Sequence, residues 1–152
     1  MKKKLNCVLL IDDDEPTNFI SKMLIEEANC VEHIQIAQSG QMALNYLTNS
    51  EHFAGKNKEF PCPDLIFLDI NMPAMNGWEF LEKYNELEKE HKGQIITVML
   101  TTSLNPDDRV KAIESASISG FETKPLTTEK LTRILEKYFP SYFFNSAEST
   151  LL

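Results

Sequence analysis

The amino-acid sequence predicts an α/β domain, a five-stranded and mostly parallel sheet covered by helices on both faces. Short apolar runs bounded by turn residues alternate with stretches of helical periodicity about five times along the chain. The run Leu65 to Leu68 is apolar throughout, as a strand buried on both faces of a parallel sheet requires. A length of 152 residues with 42% hydrophobic content suits one domain with a substantial core.

Taken in order, the predicted strands are Leu5 to Ile11, His33 to Ala37, Leu65 to Asp69, Ile95 to Leu100 and Gly120 to Thr123. The helices between them announce themselves by spacing and by caps. Asp12-Asp13-Asp14-Glu15-Pro16 ends in a helix start at Pro16, with Asp14 and Glu15 read as capping residues. Ser39-Gly40 and Asn76-Gly77 are weaker start or turn signals. Phe80, Leu81, Tyr84 and Leu87 nearly follow the i, i+3, i+4, i+7 rule, and Leu131, Ile134, Leu135 and Tyr138 follow it fully. Asn105-Pro106-Asp107-Asp108 combines a capping side chain, Pro at the first helical position and acids at the positive end of the helix dipole. Thr48 to Pro63 is polar, carries a Gly and two Pro, and reads as an extended surface loop.

A formal net charge of -8 argues against a nucleic-acid or anionic-membrane surface, because binding phosphates needs clustered Lys and Arg. Lys2-Lys3-Lys4 is the one basic cluster and reads as N-terminal solvation. The apolar stretch after it lasts from Cys7 to Ile11, too short for a secretory signal, and no segment is long enough to span a bilayer. Cys7, Cys30 and Cys62 are odd in number and lack C-x-x-C spacing, which fits a reducing cytoplasm. His33, His52 and His91 are too scattered for a metal cluster.

In an open parallel sheet, ligands bind outside the carboxyl ends of the strands, where strand order reverses. Asp12, Asp13 and Asp14 follow the first strand, Asp69 ends the third, Thr101 and Thr102 end the fourth, and Lys124 follows the fifth. Such carboxylates repel one another by roughly 4 kcal/mol per pair at about 4 Å and an effective dielectric of 20. A hard divalent ion such as Mg2+ is the fitting partner, with Lys124 as a fixed second cation. An aspartate beside Mg2+, a lysine and a hydroxyl is equipped for phosphoryl transfer, and Asp69 reads as the nucleophile.

The motifs "VLLIDDDEP", "DLIFLDINMPAMNGWEF", "ITVMLTTS" and "FETKP" come in the order and near the spacing of one family. Over roughly Leu5 to Phe139 the chain resembles the receiver domain of two-component response regulators. The resemblance implies a flavodoxin-like, doubly wound sheet of order 2-1-3-4-5 with five helices. It implies Asp69 as phosphoacceptor, Asp13 and the Asn71 backbone carbonyl as direct Mg2+ ligands beside Asp69, and Asp12 acting through water. Thr101 would be the switch hydroxyl, Lys124 the partner of the phosphoryl oxygens in a cis Lys124-Pro125 peptide, and Phe121 the aromatic switch residue. Met72-Pro73 and Gly77 would shape the loop after the acceptor, and Trp78 reads as helix packing.

The partners implied are a histidine kinase or histidine phosphotransfer protein and a downstream protein target, met through protein contacts of a cytoplasmic regulator. Residues 1–139 are expected to be the receiver domain and 140–152 a short tail without an output domain. Tyr138, Phe139, Tyr142, Phe143 and Phe144 give that end an aromatic surface, which predicts a homodimer or a partner contact. The long loop before the third strand resembles that of single-domain regulators partnering bacterial phytochromes. A haloacid-dehalogenase-type phosphatase would need a second acid at position 71, which is Asn71. A flavodoxin-like cofactor carrier would need phosphate-binding donors where Asp12 to Asp14 stand. A receiver-like scaffold that is never phosphorylated is the remaining alternative.

Overall fold

The computed structural model describes residues 3–50, 60–88 and 95–143. Strands β1 (Leu5–Ile11), β2 (Val31–Ala37), β3 (Leu65–Leu68), β4 (Ile96–Thr101) and β5 (Gly120–Thr123) form one sheet in the order β2-β1-β3-β4-β5. All four pairings are parallel. The helices are α1 (Glu15–Ala28), α2 (Gly40–Thr48), α3 (Gly77–Glu88), α4 (Pro106–Glu114), α5 (Thr128–Tyr138) and a single turn, α6 (Pro140–Phe143). That turn is an addition to the five helices expected. Five strands stand where the sequence puts them, with β2 starting two residues earlier, β3 ending one residue sooner and β4 lying one residue later at both ends than the apolar pattern suggests.

Period-two alternation divides the side chains between two cores. From β1, Cys7, Leu9 and Ile11 face one way with Ile66 and Leu68 of β3, against Phe80, Leu81 and Tyr84 of α3 and Leu47 of α2. Val8 and Leu10 face the other way with Leu65 and Phe67, against Ile25 of α1 and Leu131, Ile134 and Leu135 of α5, and Leu5 joins that cluster from the start of the strand, outside the alternation. The apolar spacing in α3 and α5 therefore marks the buried face of each helix. Every residue of β3 is buried because its strand is central and both its faces are covered. Edge strand β2 is mostly half-buried instead.

The helix starts are set by side chains that accept orphan backbone N–H groups. Asp14 accepts from Thr17 N, Ser39 from Met42 N, Asn105 from Asp107 N and Thr127 from Lys130 N. Asn76 and Glu79 cap α3 reciprocally, each side chain accepting the other's backbone N–H at 2.9 and 3.1 Å. Asp14 therefore caps α1 as the sequence predicts, whereas Glu15 is the first residue of the helix and not a cap. Residues 51–59 of the expected surface loop, His52, His91 and Phe144 lie outside the described residues. Among the described residues, no helix is long and apolar enough to cross a membrane.

Candidate functional site

The chain passes from β1 outward to β2 and then returns to β3 on the other side of β1, so strand order reverses between β1 and β3. The two strands next to that crevice end in Asp12 and Asp69, which are 5% exposed. Backbone bonds hold both ends: Asp69 N donates to Ile11 O at 3.0 Å, and Asp12 N donates to Ala37 O at 3.1 Å. Asp13 follows on the exposed rim. Asp12, Asp13 and Asp69 each offer a carboxylate oxygen within 4.8 Å of the others. Two adjacent acids and a third more than 50 residues further along the sequence converge because parallel strands all finish at one edge.

Lys124 reaches the same point from the end of β5. Its Nζ is 2.5 Å from Asp12 Oδ2 and 3.5 Å from Asp69 Oδ1. Its backbone N–H donates to Thr101 O at 2.8 Å, and the Lys124-Pro125 peptide is cis. Lys130 fixes this segment from α5, its ammonium donating to Thr123 O at 2.6 Å, Pro125 O at 3.1 Å and Thr123 Oγ1 at 3.3 Å. Asn18 does the same for the first strand's exit, donating from Nδ2 to Asp12 O at 2.8 Å. Asp12 Oδ1 accepts Asp14 N at 2.9 Å, which orients the carboxylate while the backbone turns into α1.

Burial pushes the Asp69 carboxyl above its ordinary range, and the charge of Asp12 adds to this, against the opposing pull of Lys124 and of the Ile70 backbone N–H. For Lys124, burial acts to lower its pKa, but the hydrogen bond and charge of Asp12, joined by Asp69, outweigh it and leave the ammonium held more firmly than usual. Three carboxylates face one ammonium. The residual negative charge and the all-oxygen donors fit a hard divalent cation such as Mg2+.

The loop leaving Asp69 is built tightly. Gly77 N donates to Ile70 O at 2.7 Å, and Met75 N donates to Pro73 O at 2.7 Å, closing a γ-turn about Ala74 at φ 66. A non-glycine residue in this left-handed region stores about 1–3 kcal/mol of strain beside the acid. Asn71 is exposed two residues past Asp69. Thr101 is fully buried at the end of β4, its Oγ1 accepting Ser103 N at 3.1 Å. Phe121 does not reach the acids: it is half-buried, packed against the α2–α3 core two register positions before the Thr101–Thr123 pair.

Asp12, Asp13, Asp69, Thr101 and Lys124 thus gather at one edge, as the strand ends predict. Lys130, Asn18 and the Ala74 turn were not legible, because a lysine, an asparagine and an alanine carry no local signal of the backbone they support or adopt. Trp78 packs against the core beneath α3, and its indole N–H also donates to Asp108 Oδ1 at 3.2 Å.

Fold and pocket together define a doubly wound α/β domain with an acidic, cation-ready crevice at its switch point. A model of the response regulator receiver domain matches residues 8–136, and the chain belongs to that family of two-component signalling proteins. It is similar to the crystal structure of a two component response regulator from Cytophaga hutchinsonii, with 36% identity and TM-score 0.79 over 91% of this chain and 99% of that one. It is 31% identical over 130 residues to the nitrate/nitrite response regulator protein NarL of Escherichia coli, spanning 86% of this chain but 53%, about half, of NarL. A bacteriophytochrome response regulator, RtBRR, shares the fold at TM-score 0.69 and 24% identity, covering 89% of this chain and 78% of that one.

Proposed function

We propose that this receiver domain accepts a phosphoryl group on Asp69 from a phosphohistidine of a histidine kinase or histidine phosphotransfer protein, and signals through protein contacts. The observation that carries the reading is the meeting of three carboxylates from two strand ends within 4.8 Å, with Lys124 touching two of them. An Asp69 carboxylate oxygen attacks phosphorus, the O–P bond forms, the N–P bond breaks, and the donor imidazole leaves with the electron pair and takes up a proton. Lys124 balances the charge spread over the phosphoryl oxygens. Asp13, Asp69 and the Asn71 carbonyl would hold Mg2+, with Asp12 acting through water. When bound, the ion supplies charge neutralisation and orientation.

Once the anhydride forms, about one and a half to two negative charges sit where a carboxylate stood. Thr101 turns its hydroxyl toward the new oxygens, and Phe121 and the β4–α4 segment follow as a shift between two pre-existing states. Residues 1–139 form the receiver unit. Phe139 is buried and Tyr142 packs against the same core, so contact with a second copy or a target protein rests on what that end leaves exposed. Reverse attack by water on phosphorus returns Asp69 and inorganic phosphate, so the chain promotes its own resetting.

Incubation with Mg2+ and a small acyl phosphate, followed by intact mass, tests the reading. One phosphoryl adduct is expected, lost on chelation of the metal and in Asp69→Asn. An adduct that survives Asp69→Asn, or none on the wild type, removes the assignment. Phosphotransfer from candidate kinases, compared by rate, then identifies the donor.

A further inference from the structure

One chain of hydrogen bonds leaves the acidic pocket at Thr101 and continues through groups that none of the chemistry above uses. Thr101 Oγ1 accepts Ser103 N at 3.1 Å, Ser103 Oγ donates to Asp108 Oδ2 at 2.6 Å, and Asp108 Oδ1 accepts the Trp78 indole N–H at 3.2 Å. The Lys111 ammonium stands 4.7 Å from the centroid of the same indole. Ser103 Oγ also accepts Asn105 N at 3.3 Å, so one hydroxyl ties the β4–α4 turn to the helix that follows it. The path runs from the end of β4, through the first turn of α4, to the first turn of α3.

The helix it fastens is weakly held by other means. Ala112 is the buried residue of α4, whereas Val110 and Ile113 are 52% and 74% exposed, and Leu104 in the preceding loop is 88% exposed. An element with so little apolar burial opens locally at low free-energy cost. Two polar contacts to Trp78 are therefore a large share of what keeps α4 beside α3.

Resting on the assignment of Asp69 as phosphoacceptor, we infer that Ser103 and Asp108 form a tether between Thr101 and Trp78, and that phosphoryl transfer to Asp69 releases the indole and frees α4 from α3. A hydroxyl has one proton and two lone pairs, so its direction decides which neighbours it serves. When Thr101 turns to donate to a phosphoryl oxygen, Ser103 N loses its acceptor. The turn then relaxes and Ser103 Oγ withdraws from Asp108. Asp108 stands three residues before Lys111 on α4, a spacing at which opposite charges pair across one helix face. That pairing takes the hydrogen-bond acceptor and the stacked cation off Trp78 together. Trp78 is thus a positioning residue, reading Thr101 at the surface between α3 and α4.

Trp78 is the one tryptophan of the chain, so its emission reports this event without a label. The full chain with Mg2+ and a small acyl phosphate is followed by intact mass and by fluorescence in parallel. In the wild type, emission shifts to the red in step with the adduct, as the indole N–H exchanges Asp108 for water. Asp108→Ala starts red-shifted, gains the adduct and shows no further change. Asp108→Asn keeps an oxygen acceptor for the indole but loses the charge that pairs with Lys111, so it starts unshifted and moves less than the wild type as the adduct forms, and Ser103→Ala behaves as Asp108→Ala does. An adduct on the wild type with unchanged emission, or a full shift persisting in Asp108→Ala, refutes the tether and leaves the phosphoacceptor reading standing. No adduct on the wild type removes both.

Discussion

Gly77→Ala is the substitution with the sharpest consequence for the site. A Cβ built at Gly77 falls on the Asp69 carbonyl oxygen and lies 3.1 Å from Ile70 Cα and 3.2 Å from Asp69 C. All three are backbone atoms, and none can swing aside as a side chain would. Asp69 is held by its N–H to Ile11 O at 3.0 Å, so the start of α3 must lift, stretching the 2.7 Å bond from Gly77 N to Ile70 O. Overpacking of this kind costs roughly 1–3 kcal/mol, and the weakened hydrogen bond adds about 1 kcal/mol. A net loss of about 2–3 kcal/mol lowers Tm by roughly 5–10 °C in a chain of this size. The control is Gly40→Ala, whose Cβ meets Met75 Sδ at 2.6 Å, the far end of a flexible side chain at the head of α2. Its helix-propensity gain of about 0.5–1 kcal/mol offsets the contact and leaves it near neutral. Urea titration of both variants, with acyl phosphate labelling of Asp69 alongside, reads the difference. Equal stability of the two, with labelling of Gly77→Ala at the wild-type rate, would show that the Asp69–Ile70 backbone yields freely and that the clash argument fails.

Three further outcomes are expected. Burial pushes the Cys7 thiol up to about 12, and it raises Cys30 as well, while Cys62 is half-buried. Native alkylation with iodoacetamide at mildly alkaline pH should therefore give one adduct, on Cys62, against three after denaturation; rapid native labelling of Cys7 would contradict its burial. The sign for stability follows from linkage: the folded state holds the Cys7 proton where the unfolded chain has released it, so stability falls as pH rises from the ordinary thiol range towards 12. Cys7→Ala should flatten that alkaline slope in urea titrations. Lys130→Met keeps the alkyl stem but deletes the donations to Thr123 and Pro125. A loss of about 1–2 kcal/mol is expected from unfolding curves, together with slower acyl phosphate labelling as Lys124 loses its fixed approach. Unchanged stability and rate would leave Lys130 as a surface lysine.

The site was legible to the extent that its residues announce themselves by position. Asp12 and Asp69 end apolar runs, Thr101 ends another and Lys124 precedes a proline, so knowing that parallel strands share a carboxyl edge was enough to bring them together. Their supports were not legible in the same way. Ser103 stands two residues beyond Thr101, but its hydroxyl reaches Asp108, and Trp78 completes that bond from 30 residues away. No periodicity or spacing encodes a contact between two helix faces, and Trp78 fitted the apolar stripe of α3 well enough to read as packing alone.

Hydrophobic period, capping side chains and turn residues are local properties, so the sequence alone determined the five strands, the long helices that follow them and the side of the sheet on which charge would collect. Tertiary structure alone decided which of the groups gathered at that edge touch, and which residues support them. Lys124 lies against Asp12 more closely than against Asp69, Lys130 holds the backbone around it, and Asp108 joins α4 to α3. Those outcomes depend on distances between segments far apart in the chain, which are set only when two cores close on opposite faces of one sheet.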